Sequence, residues 1–368
     1  MKKRARWPWL IVAALLLVLA AWLATGSEPK PDDKPDLVKL PRHMEEPDWQ
    51  RAHKRDVLPV PALAPQQKAP EGRAAVRDPL LRALPSKVER AAVVVEANAI
   101  RNSDLGNLLV ECAFAGDDAK GLDWMRDAGF DPLKDLDRIA VSDGTVMLTG
   151  NFSNVDWNGL GVKTRNPWGD QGTLLDDGTG TTDGGMSVGL WNNQMVVMGD
   201  NDEAVKAAFD RIEGRSSDTA APVVDPSQSY GEMYGVLMAE PLASMFEKDN
   251  PALAQTIRGA AKQVQLHADA SHDVGLVADV GGDDPQKSED LRKAMGSALS
   301  LLRMEAKAKG SKDEAELLEY AHVGPSTGNK GFRLESGLPY DFMKRQLEQC
   351  IENKKRHAKE RATPDAGS

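Results

Sequence analysis

Cysteine is almost missing from this 368-residue chain, which holds only Cys112 and Cys350. Two cysteines provide no zinc-ligand spacing. Neither lies near the N-terminal apolar run, so a lipid-modified cysteine there is excluded. Aromatics are also scarce, at 5 %, and all eight tryptophans fall before residue 192. No phosphate-binding loop, dinucleotide fingerprint or kinase motif occurs, and Gly178-Thr-Gly180 neither follows a strand nor opens a helix. Excess positive charge is lacking where a fold would form. Residues 1–85 hold 15 Lys and Arg against 10 Asp and Glu, which leaves 31 against 46 in residues 86–368, a net of −15. An acidic body repels phosphates, so binding of nucleic acid is not expected. No cofactor is implied.

Long apolar runs are lacking too, with one exception. Trp7 to Ala24 is eighteen residues without a charge, preceded by Lys2, Lys3, Arg4 and Arg6. A spanning helix needs roughly 17–25 apolar residues, and a signal peptide has an apolar core of about 7–15. Trp7, Trp9 and Trp22 lie near the ends, where indole rings favour the interface. The pattern predicts an N-terminal transmembrane anchor (or signal peptide) over 1–26. The charge in front of the run puts the bulk of the chain on the periplasmic or extracellular side of the cytoplasmic membrane.

Residues 27–85 carry 11 of the 22 prolines and no apolar periodicity. Such a segment cannot bury enough surface to order itself. It is expected to be a disordered stalk, about 40 Å across as a coil. Trp49 within it is incidental or a docking point.

Order is expected from Ser86. Ala91–Ala97 reads as a buried strand. Ser103 opens a helix with Leu105, Leu108, Leu109 and Cys112 on one face, and a second helix runs over about 119–128. Asp143-Gly144 and Asn192-Asn193 each centre a hairpin. Residues 152–185 are rich in Gly, Asn and Asp and read as an excursion. A helix with Val205, Ala208, Phe209 and Ile212 inward ends at Gly214. Beyond 215–229 the order recurs: a strand at 233–239, two helices, a hairpin around Ser271-His272, an acidic turn and a long helix over about 285–309. A strand at 330–336 and an amphipathic helix from Pro339, bearing Cys350, finish the chain. The fold class expected is α+β. It comprises two related modules, 86–222 and 223–368, each of strand, two helices, antiparallel hairpin and helix.

Several motifs resemble sites without their context. Gly185-Met-Ser187-Val-Gly189 has the letters of a nucleophile elbow but lacks strand before and helix after. Asp176–Gly184 has the acids of a calcium loop without the closing glutamate. His267, Asp269, His272 and Asp273 gather at a hairpin tip, where polar residues collect in any case. Asn151-Phe-Ser153 is a formal glycosylation sequon.

The leading expectation is therefore a non-enzymatic, membrane-tethered extracytoplasmic domain that binds a protein or polymer partner in the cell envelope. The alternative is a carboxylate-dependent hydrolase acting on carbohydrate through the 152–185 loop. Trp157, Trp168, Asp170, Asp176 and Asp177 form the candidate ligand surface in either case, beside Asp156. Cys112 and Cys350 lie on apolar helix faces and can pair in an oxidising compartment. Whether they approach each other is open at this level.

Overall fold

The structure, a computed structural model, describes residues 78–113, 123–176, 186–218, 220–248, 251–271, 273–310, 312–326 and 331–362. The Trp7–Ala24 run, Trp49 and the expected stalk up to residue 77 lie outside the described residues. Among the described residues, no helix is long and apolar enough to cross a membrane.

Helix α1, Pro79–Ala83, opens on a cap from Asp78, whose carboxylate accepts from the Leu80 N–H at 3.0 Å. Strand β1, Ala91–Val95, leads into α2, Ala97–Arg101, and α3, Asp104–Ala113. The Ser103 hydroxyl caps α3 by accepting from Gly106 N–H at 2.9 Å. Two short helices follow, α4 at Asp123–Asp127 and α5 at Pro132–Asp135. Asp131 caps α5 through Leu133 N–H at 3.1 Å. Burial opposes the charge of this carboxyl, but Lys134, that N–H and Arg126 hold it below the ordinary carboxylate range.

Strands β2, Leu136–Ser142, and β3, Thr145–Gly150, turn through Asp143 and Gly144, both at positive φ (40° and 88°). The turn also reaches backwards: the Asp143 carboxylate accepts from the N–H groups of Glu89 and Arg90, at 2.6 and 2.9 Å. Next come β4, Thr164–Trp168, and β5, Gly172–Asp176, and then β6, Ser187–Trp191, and β7, Met195–Gly199. Asn192 and Asn193, at φ 49° and 53°, supply the primed turn between β6 and β7 that matches strand twist. Helix α6, Asp202–Glu213, is capped by Asn201 and stopped by Gly214 at φ 73°.

The second half holds β8, Met233–Met238, α7, Ala239–Phe246, α8, Pro251–Ala260, β9, Gln263–Asp269, and β10, Val274–Gly281. It continues with α9, Pro285–Lys309, α10, Lys312–Glu319, β11, Ala321–Pro325, β12, Gly331–Leu338, and α11, Tyr340–Ala362.

Among the described residues, twelve strands join one antiparallel sheet in the order β11-β12-β10-β9-β8-β1-β2-β3-β7-β6-β5-β4. The halves meet where β1 pairs β8, from Ala91 opposite Leu237 to Val95 opposite Met233. Outward from that seam the orders match: β1, β2, β3, β7 on one side and β8, β9, β10, β12 on the other. The counterpart of β7 is thus β12, not β10.

Residues directly opposite one another on neighbouring strands share a face. Met147, Ala140, Val94, Tyr234 and His267 follow one such line across both halves. In the first half this face is apolar and lies under α6 and α1. Val205, Ala208, Phe209 and Ile212 of α6 are all buried there, worth about 1.5–3 kcal/mol for each large side chain. The close packing needs two glycines: a Cβ on Gly189 would stand 2.7 Å from Phe209 Cζ, and one on Gly172 2.7 Å from Phe209 Cδ2. The opposite face of this half packs on Phe130, Phe152 and the chain around them. In the second half the helices α7, α8 and α9 cover that opposite face through Ala254, Ile257 and Leu291.

Two boundaries differ from the sequence expectation. Helix α1 lies within the segment expected as stalk, yet its Leu80, Leu81 and Ala83 are fully buried against α6. Five helical residues, the first of them a proline, are too few to show a period. The 152–185 excursion also contains the β4–β5 hairpin, and β11 precedes the strand expected at 330–336.

Candidate binding surface at the sheet edge

Strand β4 has one neighbour, β5, and so forms one edge of the sheet among the described residues. The other edge, β11, lies against α9 and α10. Thr164, Arg165, Asn166 and Pro167 of β4 are exposed. Asn192 donates its N–H to Gln171 O at 3.1 Å, so Gln171, Thr173 and Leu175 turn their backbone groups to β6, and Gly172, Leu174 and Asp176 turn theirs to β4. Thr164, Asn166 and Trp168, opposite Asp176, Leu174 and Gly172, therefore bond β5, and the backbone groups of Arg165 and Pro167 point outward. The donor that Pro167 lacks is therefore one of the outer edge, where a proline leaves the β4–β5 ladder intact.

This edge is fastened to α6 by polar contacts. Trp168 Nε1 donates to Asp210 Oδ1 at 3.0 Å, and Lys206 Nζ stands 5.0 Å from the indole centre. Glu213, the last residue of α6, holds the β4–β5 turn: its carboxylate accepts from Asp170 N–H at 2.8 Å and Gln171 N–H at 3.0 Å. It also accepts from Trp191 Nε1 at 3.1 Å and pairs with Arg215. A carboxylate at a helix C-terminus faces an unfavourable dipole, and four donors on Glu213 offset that. Neither Glu213 nor Asp210 was singled out from the sequence. They are 43 and 42 residues from the groups they bind, and no spacing rule links them.

Among the described residues, those singled out do not converge. Trp168 serves the edge as described. Trp157 is part of the apolar packing on the other face, tilted against Phe152 at 6.4 Å between ring centres. Asp170 sits in the hairpin turn and Asp176 at the far end of β5, opposite Thr164. The strand between them places their backbones roughly 15–20 Å apart, beyond the separation of a glycosidase carboxylate pair, about 5–10 Å. Asp156 caps a turn through Gly159 N–H at 3.0 Å. Asp177 lies outside the described residues, as does most of the calcium-like loop. Ser187 is the first residue of β6, opposite Gly199, with no helix after it.

Polar side chains gather a second time near the β1–β8 seam. Arg138 forms a two-pronged ion pair with Asp78, one prong at 2.8 Å, which fixes α1 to β2. Burial works against the guanidinium charge, but Asp78, with Glu96 and Tyr234 behind it, holds its pKa above the ordinary range. Tyr234 donates to Glu96 at 2.7 Å across the seam. His267, 2 % exposed, stacks on Tyr230 at 3.8 Å between ring centres. Of its neighbours at the hairpin tip, Asp269 accepts from Ser271, and Asp273 takes the Tyr340 N–H at 2.8 Å at the start of α11. His272 lies outside the described residues. Among the described residues, no group of His, Cys, Asp and Glu is arranged to hold a metal ion.

Cys112 and Cys350 form a disulfide with their Cα atoms 5.7 Å apart. It joins α3 to α11, whose apolar faces meet through Leu105, Phe342, Met343, Leu347 and Ile351. Lys354 adds a hydrogen bond to Ala113 O at 2.9 Å. Comparison with protein-family models, with curated proteins and with solved structures finds no match to this chain.

Proposed function

We propose that this chain is a non-enzymatic, membrane-tethered extracytoplasmic domain that binds a protein partner of the cell envelope, and that β4 is the docking edge. The observation that carries it is the combination at β4: the N–H and carbonyl of Arg165 and the carbonyl of Pro167 point outward, on a strand whose Trp168 and turn are held by Asp210 and Glu213. A fixed edge with outward backbone groups suits addition of an extended segment from another protein. Arg165 and Pro167 also guard it against indiscriminate pairing. The disulfide supports an oxidising compartment. In this proposal residues 7–24 anchor the chain in the cytoplasmic membrane and the segment that follows stands the body off from it. The matching strand orders around β1 and β8 support two related modules, 86–222 and 223–368. The hydrolase alternative is weakened by the distance between Asp170 and Asp176.

The test is site-directed photocrosslinking in intact cells with a photoreactive residue at Asn166, compared with one at Glu203 on α6. A discrete adduct from 166, absent from 203 and lost on Arg165→Pro, is expected. An adduct pattern equal at both positions would overturn the assignment of the edge.

A further inference from the structure

Among the described residues only four large apolar side chains are exposed, and three crowd one turn of α9: Leu301 (61 %), Leu302 (49 %) and Met304 (62 %). The helix has 25 residues, about 37 Å of rise. Its inner side is anchored by Ser288, Leu291 and Ala306. On the outer side Asp290, Ala294, Ser297, Leu301, Met304 and Ala308 are all exposed. They succeed one another by four, three, four, three and four residues, the alternation that keeps a seam against a partner helix.

We propose that this seam pairs with the same seam of a second copy of the chain, with the two α9 helices antiparallel and crossing near Leu299. The sizes select that occupant and direction. In this register Met304 faces Ala294 of the second copy, and Leu301 faces Ser297, so each large side chain meets a small one. Asp290, the seam's one charge, falls opposite Ala308 of the second copy, within a turn of Lys307 and Lys309. A parallel pair would stack Leu301 on Leu301 and Asp290 on Asp290, and would leave a gap at Ala294 and Ser297. Lys307 and Lys309 bond Glu319 and Glu305 within the chain, in exposed pairs that rearrange at little cost. One helix pair is a small interface, so association on the order of micromolar is expected.

The experiment is sedimentation of the full-length, detergent-solubilised protein over a concentration series, with Leu301→Glu and Met304→Glu beside it. The native mass should rise from one chain to two. Each variant should weaken association about 30-fold or more, as loss of a central contact does. Thermal unfolding at low protein concentration should stay unchanged, because both side chains are exposed. Direction is read from single thiols and a short bis-maleimide. Ser297→Cys should crosslink, since the two copies of residue 297 lie only about 6 Å apart along the axis, while Gln286→Cys, about 39 Å apart, should not. A monomer at every concentration, a dimer indifferent to both glutamates, or equal crosslinking at 286 and 297 would each overturn the proposal.

Discussion

The disulfide between Cys112 and Cys350 offers the sharpest test of how the two ends of the fold are joined. It closes a loop of 238 residues. The chain-entropy treatment assigns such a closure about 5 kcal/mol at 25 °C, through the freedom it removes from the unfolded chain. For a body of this size that corresponds to a fall in Tm of roughly 10 °C or more when the bond is removed. The apolar contact of α3 with α11 persists without the bond, so a folded but less stable protein is expected. The decisive feature is non-additivity. Cys112→Ala, Cys350→Ala and the double variant each remove the same covalent link, so all three should lose nearly the same stability. Two independent small buried side chains would instead give losses that add. The assay is thermal and urea unfolding of native, reduced and variant protein, with thiol counting by mass spectrometry after denaturing alkylation. Two labelled thiols in unreduced protein, or additive single losses, would refute the covalent link and the loop argument with it.

Other outcomes follow from single contacts. Glu213→Gln weakens the carboxylate that gathers Asp170, Gln171, Trp191 and Arg215, and should cost about 1–3 kcal/mol in urea unfolding. Protease cleavage within 163–176 should quicken in that variant; unchanged cleavage would show that the hairpin does not depend on it. Gly189→Ala places a methyl group against Val205 and Phe209 and should destabilise by about 1–3 kcal/mol, partly recovered by Phe209→Leu in the same chain. Asp78→Ala removes both the α1 cap and the partner of Arg138, and should cost about 3–5 kcal/mol, most of it from the uncompensated guanidinium. Because the folded state lowers the Asp131 pKa, its contribution is complete above the unfolded carboxylate pKa and is lost as pH falls through the folded value. Asp131→Asn should accordingly flatten the acid limb of a stability–pH curve; an unchanged limb would remove Asp131 from it.

What the chain determines by itself is local. Asp143-Gly144 and Asn192-Asn193 encode their hairpins because few residues tolerate the positive φ that these turns require. Asn201, Asp284, Gly214 and Gly310 mark helix ends by the same kind of short-range chemistry. Val205, Ala208, Phe209 and Ile212 announce the buried face of α6 by spacing alone.

Only the tertiary structure decides what depends on partners far away in the chain. The β1–β8 seam, the burial of Leu80 and Leu81, and the hold of Glu213 on the β4–β5 turn each join groups that no local period connects. The β4 strand, with Arg165, Asn166 and Pro167, carries no apolar alternation because it is an edge, and so it reads as loop. The apolar faces bearing Cys112 and Cys350 are legible in sequence. Their approach is not, because it is set by the packing of Leu105 against Phe342 and Leu347 once both helices have found the body. Propensity and turn chemistry act over a few residues, whereas sheet order and side-chain pairing are settled by which surfaces bury each other.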